Sequence, residues 1–207
     1  MASKICHDNE ILLFVPSDHL IKNYKQLNKE ILKISKKLPD DKIITFGIKP
    51  EYPSIGFGYI ETEKIVQKGS ELLKVKGFFE KPNIYKANIF IKEKNFFWNA
   101  GIFMCLASAF LKSIYVHAND IYKSCEIVLS KTNQSTNEIT FPEKEFKKIP
   151  NLSIDYAIME KSKDILCLPL NLSWNDVGSW DNLAGLSNKK IKQNKIIEID
   201  SKNNFYR

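Results

Sequence analysis

An α/β fold, built on a mostly parallel mixed sheet with flanking helices, is what this sequence predicts, and three observations predict it. An apolar run, an amphipathic stretch and a second apolar run follow one another within the first 48 residues, the order of a strand–helix–strand unit. Two further apolar runs, Phe96–Leu106 and Ile165–Leu170, lie downstream and are separated by helical spacings. The composition suits a domain with a real core, since 43% of its 207 residues are hydrophobic.

The first run, Ile11–Val15, is five consecutive apolar residues, which suggests a strand buried on both faces. Pro16 removes a backbone donor and ends it. Asp18 therefore sits just past the C-terminal end of a strand, where open α/β sheets bind their ligands. Ser17 or Asp18 could equally cap the next helix. From Leu20 to Leu38, apolar Tyr24, Leu27, Ile31 and Ile34 recur at spacings of three and four, an amphipathic helix ended before Pro39. Lys42–Ile48 is the second strand.

Pro50 to Glu61 runs from a loop into a strand, with Gly56 and Gly58 flanking one aromatic. Glycines there permit a bulge or the close approach of a ligand. Leu72–Glu80 is the next strand and closes on Glu80-Lys81-Pro82. A carboxylate and an ammonium side by side at a strand end suit sugar hydroxyls and a phosphate; a solvated charge pair ahead of a turn is the alternative. Ile84–Lys94 has helical rhythm. In Phe96–Leu106, Asn99 is the one polar side chain of an apolar run, so its amide needs partners, from a bulge or from a bound hydroxyl. Ala107–Val116 and Asp120–Lys131 are predicted helices, and Thr132–Glu138 a polar loop. Ser153 caps a helix through Lys161, Ile165–Leu170 is a buried strand, and Trp174 to Trp180 forms a tight turn carrying Asp176. A charged connector, Lys189–Asn194, precedes a last strand at Ile196–Ile199.

Composition narrows the function. The net charge is +7, yet Arg207 is the only arginine. Base and phosphate recognition favours the planar guanidinium, so nucleic acid is not the expected partner. Four separated cysteines form no Cys-x-x-Cys pair and signal neither zinc nor a disulfide framework. No leader-like or membrane-spanning apolar run is present, so a cytoplasmic protein without membrane partners is expected. There are eight glycines and none before Gly47, so no Gly-rich phosphate loop opens the chain.

The order of these motifs is specific. Val15 to Ile21, Thr45 to Ile48, Gly56 to Ile60, Phe79 to Pro82, Trp98 to Gly101, Ser153 to Lys161 and Trp174 to Trp180 together resemble the bacterial mannose-1-phosphate guanylyltransferase family, from about Ile11 to Phe205. The resemblance implies a Rossmann-like nucleotidyltransferase fold making GDP-mannose and diphosphate from GTP and mannose 1-phosphate. It implies that Asp18 and Asp176 hold Mg²⁺, that Lys81 contacts the sugar phosphate, and that Gly58, Glu80 and Asn99 line the sugar pocket. Asp18, Lys81 and Asp176 are then the expected catalytic set. His19 is expected only to pack or hydrogen bond, because an ionised phosphate needs no general base. Thymidylyltransferases share the chemistry but match the Trp98 and Ser153 motifs less well.

Members of that family begin with a Gly-Gly-x-Gly loop that wraps the GTP phosphates, and this sequence lacks it. The expectation is thus a partial nucleotidyltransferase domain over residues 1–188, the sugar-phosphate half without its first Gly-rich βα unit, and the start of a truncated C-terminal extension over 189–207. Such a chain should carry an exposed apolar strand edge. It would act as a homo-oligomer or with a complementing N-terminal segment, or else persist as a non-catalytic sugar-phosphate or partner-binding remnant.

Overall fold

The computed structural model describes residues 7–63, 72–134 and 139–177. The expected connector and last strand, at 189–199, lie outside the described residues, as do Gly178 to Trp180.

The strands are β1 (Ile11–Phe14), β2 (Leu20–Ile21), β3 (Ile43–Ile48), β4 (Tyr59–Thr62), β5 (Leu73–Phe79), β6 (Phe96–Leu106), β7 (Asn133–Gln134), β8 (Ile139–Thr140), β9 (Ile165–Leu170) and β10 (Trp174–Asn175). The helices are α1 (Tyr24–Ser35), α2 (Ile84–Phe90), α3 (Ala107–His117), α4 (Asn119–Ser130) and α5 (Glu143–Phe146), with a π-helical turn at Asp155–Met159. The main sheet runs β1-β6-β3-β9-β5-β4, and β4 also pairs with the start of β6. Strands β3, β9, β5, β4 and β6 thereby close a ring, inside which Ile60, Leu73, Phe97 and Cys167 pack together.

The mixed α/β fold expected from the sequence is present. Strands β1, β3, β4 and β9 point one way and β5 and β6 the other, because β6 is antiparallel to β1, β3 and β4, and β9 is parallel to β3 but antiparallel to β5. The reversed strands intervene between the others. Direct parallel hydrogen bonding is consequently confined, among the described residues, to β3 with β9. Every residue of β3 is buried: Ile44, Phe46 and Ile48 face a core closed by Leu27 and Ile34 of α1 and Ala87 and Phe90 of α2. Ile43 faces a second core with Phe103, Ala109 and Ile158. Sandwiching a sheet between two apolar layers is what makes its strands uninterruptedly hydrophobic.

Three expectations are corrected. Strand β1 is not buried on both faces: Ile11, Leu13 and Val15 are 41%, 40% and 58% exposed, because β1 pairs only with β6 among the described strands. A continuous apolar run cannot tell an edge strand from a central one, and among the described strands β1 is an exposed apolar edge. Leu20 and Ile21 are not helical, since they pair with Asn175 and Trp174, a long-range ladder that overrides the local rhythm. The expected loop Thr132–Glu138 contains β7, which pairs antiparallel with β8 just beyond it.

Candidate active site

The C-terminal ends of β1, β3 and β9 lie together with the start of β6, the turn into β4 and the end of β5. Ligands bind at this edge of α/β sheets because loops there are free to diverge. A cleft of about 810 Å³ opens at it, and Gly58, Glu80, Lys81, Asn99 and Asp176 all line it, with His19, Tyr52, Asp155 and Trp174.

Gly58 and Glu80 are brought together by the β4–β5 ladder, in which Tyr59 faces Phe79. A methyl group added at Gly58 would lie 2.6 Å from Glu80 Oε2, so only glycine leaves this carboxylate where it is. Lys81 turns away from the strand with φ of +42°, a conformation costly for a residue with a Cβ. Its ammonium lies 3.8 Å from Glu80 Oε1 and stays exposed. Partial burial raises the Glu80 carboxyl above its ordinary value; Lys81 opposes this, and the charges of Asp155 and Glu160 add to it.

Asn99 finds its partners in a bulge, one of the two means expected. Between Thr45 and Gly47 the β3–β6 register shifts, pairing Thr45 with Phe103 but Gly47 with Asn99. Gly101, at φ of +65°, sits in the extra length of β6. The Asn99 side-chain oxygen accepts from the Gly101 N–H at 3.1 Å, and its Nδ2 donates to Asp155 Oδ1 at 3.0 Å. Asp155 is a cleft residue that the sequence reading passed over, because it looked like the first turn of an ordinary helix. The helix expected from Ser153 is instead one π-helical turn, closed by the Glu160 N–H on the Asp155 carbonyl at 2.9 Å. Such turns recur at functional sites.

Asp18 and Asp176 flank the ribbon of β2 and β10. Its register pairs Leu20 with Asn175, so one step further Asp176 comes opposite His19. Asp18 is highly exposed and does not line the cleft. His19 does what was expected of it: its Nδ1 accepts from Trp174 Nε1 at 3.2 Å, with the rings edge to face. Trp174 also packs on Phe57, which packs on Trp98 and Tyr52. The turn after β10 is held by the Asn175 side-chain oxygen, which accepts from the Val177 N–H at 2.7 Å. Val177 is thereby held at φ of +52°, rare for a β-branched residue. Partial desolvation raises the Tyr52 phenol above 10.0 although its side chain stays part-exposed, and the negative charge of Asp176 raises it further.

A divalent cation fits these residues in kind. Mg²⁺ is commonly held by one or two carboxylates and completed by substrate phosphates and water. Two aspartates beside one ribbon end meet that pattern, and no group of three or more histidine, cysteine or acidic side chains suited to a metal occurs among the described residues. Cys105 and Cys167 are buried, and burial pushes both thiols up, Cys105 to about 12. They take no part in the cleft. No helix among the described residues is long and apolar enough to cross a membrane.

A nucleotidyl transferase family model matches residues 1–193. The mannose-1-phosphate guanylyltransferase of Escherichia coli is 33% identical over 197 residues, 93% of this chain and 42% of that protein. The alginate biosynthesis protein AlgA of Pseudomonas fluorescens is 32% identical, covering 94% of this chain and 41% of its own length. The chain thus spans less than half the length of these two relatives. Among solved structures, a mannose-6-phosphate isomerase from Helicobacter pylori matches with a TM-score of 0.70 and 31% identity, over 84% of this chain and 68% of that one. A mannose-1-phosphate geranyltransferase from Thermus thermophilus shares the fold at a TM-score of 0.73 and 24% identity, over 87% and 50%. The chain belongs to the nucleotidyl transferase family, alongside bacterial mannose-1-phosphate guanylyltransferases.

Proposed function

We propose that this chain binds mannose 1-phosphate in the cleft and, once GTP is held opposite it, takes part in forming GDP-mannose and diphosphate. The observation that carries this reading is convergence: Gly58, Glu80, Lys81, Asn99 and Asp176, spread over nearly 120 residues of sequence, line one cleft. A carboxylate and an amide suit sugar hydroxyls, and an exposed ammonium beside them suits the phosphate. A phosphate oxygen of the sugar forms the new bond to the α-phosphorus of GTP while the bond to the bridging oxygen breaks and diphosphate leaves. Two anions repel one another in this approach, and Lys81 offsets part of that repulsion. The attacking oxygen is already ionised, so no side chain has to take its proton. Asp18 and Asp176 would hold Mg²⁺, which when bound supplies further neutralisation of the phosphates.

The Gly-rich phosphate loop on this reading comes from a complementing N-terminal segment. Mixing the chain with GTP, mannose 1-phosphate and Mg²⁺, with and without a separately made Gly-rich segment, tests it. GDP-mannose is expected when the segment is present; no product in either arm rejects the proposal of turnover. The exposure of Asp18 and its place outside the cleft lining favour a second reading, a sugar-phosphate binding module without turnover. Calorimetric binding of mannose 1-phosphate without product in either arm would select it.

A further inference from the structure

Asp155 lines the cleft, yet the proposed chemistry leaves it without a task. Its Oδ1 accepts from Asn99 Nδ2, and the Asn99 oxygen accepts from the Gly101 N–H. These two bonds fix the amide, since turning it over would set oxygen against carboxylate and NH₂ against N–H. One Nδ2 hydrogen of Asn99 remains for a ligand. The second oxygen of Asp155 accepts no hydrogen bond among the described residues, and the Glu80 carboxylate is close enough to feel the Asp155 charge. The backbone of Asp155 is anchored by its π-helical turn, with Ala157, Ile158 and Met159 buried beneath it. The cleft is therefore offered one donor of fixed orientation and acceptors from two carboxylates. Such a set reads neighbouring hydroxyl groups, each of which both donates and accepts.

We propose that Asp155 is a specificity-determining residue, accepting a hydrogen bond from a sugar hydroxyl and locking Asn99 so that its remaining N–H donates to an adjacent one. This rests on the reading of the cleft as a hexose-phosphate site. The full chain, Asp155→Asn and Asp155→Ala are to be titrated calorimetrically with mannose 1-phosphate and with inorganic phosphate, and the Asn99 side-chain amide followed by ¹H–¹⁵N spectroscopy.

Asp155→Asn can keep the bond from Asn99 through its own oxygen while the second position changes from acceptor to donor. Its Asn99 signals should stay in place while mannose 1-phosphate binds about tenfold more weakly. Asp155→Ala should move both Asn99 signals and weaken the sugar phosphate by about 100-fold, with inorganic phosphate binding unchanged in both variants. Mannose 1-phosphate affinity within about twofold of the parent in Asp155→Ala overturns the assignment. Unmoved Asn99 signals in that variant, or inorganic phosphate lost in step with the sugar phosphate, overturn it as well. No heat from mannose 1-phosphate with the unaltered chain overturns the hexose-phosphate reading, and this inference falls with it.

Discussion

Gly58 and Glu80 meet across the β4–β5 hairpin so closely that a Cβ on Gly58 would sit 2.6 Å from Glu80 Oε2. The obstructing atom is the end of a flexible side chain, so the backbone need not move to relieve it. Gly58→Ala is expected to keep the melting temperature within a few degrees of the parent and to weaken mannose 1-phosphate about tenfold, because the displaced carboxylate loses a charged hydrogen bond. Gly47 is the contrast. A Cβ there would meet Cys167 Sγ at 2.6 Å and Phe97 Cβ at 2.8 Å, inside the closed ring of strands. Gly47→Ala should lower stability by about 1–3 kcal/mol through overpacking. Thermal melts and calorimetry on the two variants check both outcomes, and a Gly58→Ala protein that melts as low as Gly47→Ala contradicts the distinction.

Partial burial of Glu80 makes its protonated form the better tolerated one, and its carboxyl is raised above the ordinary 4.5. The folded chain then holds this proton to higher pH than the unfolded chain does, so between the two values folding is coupled to proton uptake. The resulting stability is fully present below the ordinary value and is lost as pH rises through the raised one. Glu80→Gln should remove that slope. Urea midpoints from about pH 4 upward should fall more steeply for the parent than for Glu80→Gln; parallel curves refute the coupling. Being part-exposed and beside Lys81, Glu80 contributes a modest slope.

Local patterns carried much of this architecture because they were decided by local physics. Phe96–Leu106 and Ile165–Leu170 are strands over the residues expected of them, and their apolar composition suits a sheet covered on both faces. The amide of Asn99, isolated in an apolar run, needed partners from a bulge or a bound hydroxyl, and the bulge at Gly101 supplies them. Leu20–Ile21 misled because their partners, Asn175 and Trp174, lie about 150 residues away, and nothing in a helical rhythm records that. Asp155 was missed for a related reason. Its role depends on Asn99, 56 residues earlier, and its π-helical turn has the apolar pattern of an α-helix.

Lys81 holds a left-handed backbone at φ of +42°, which costs a residue with a Cβ about 1–2 kcal/mol. Glycine adopts it without that cost, though it gains entropy in the unfolded chain. Lys81→Gly is therefore expected to melt no lower than Lys81→Ala, which retains the strain. Both lose the exposed ammonium at the cleft, so both should bind mannose 1-phosphate at least about tenfold more weakly and with less dependence on salt. Differential scanning calorimetry separates the backbone effect, and titration at two ionic strengths separates the charge. Undiminished binding in Lys81→Gly excludes Lys81 as the phosphate contact.

Tyr52 reports on Asp176 without any appeal to activity. Its phenol is raised first by partial desolvation against Phe57 and Trp98 and then by the Asp176 carboxylate, which repels the tyrosinate. Asp176→Asn removes the second cause and leaves the first, so the Tyr52 midpoint should fall part of the way toward 10.0. Binding mannose 1-phosphate brings a second negative charge into the same cleft and should move the midpoint the other way. Both shifts are readable by ¹³C spectroscopy of ring-labelled tyrosine, with Tyr52→Phe identifying the resonance. A Tyr52 midpoint unmoved by Asp176→Asn would separate Asp176 electrostatically from the cleft wall and leave the metal assignment without its better-placed carboxylate.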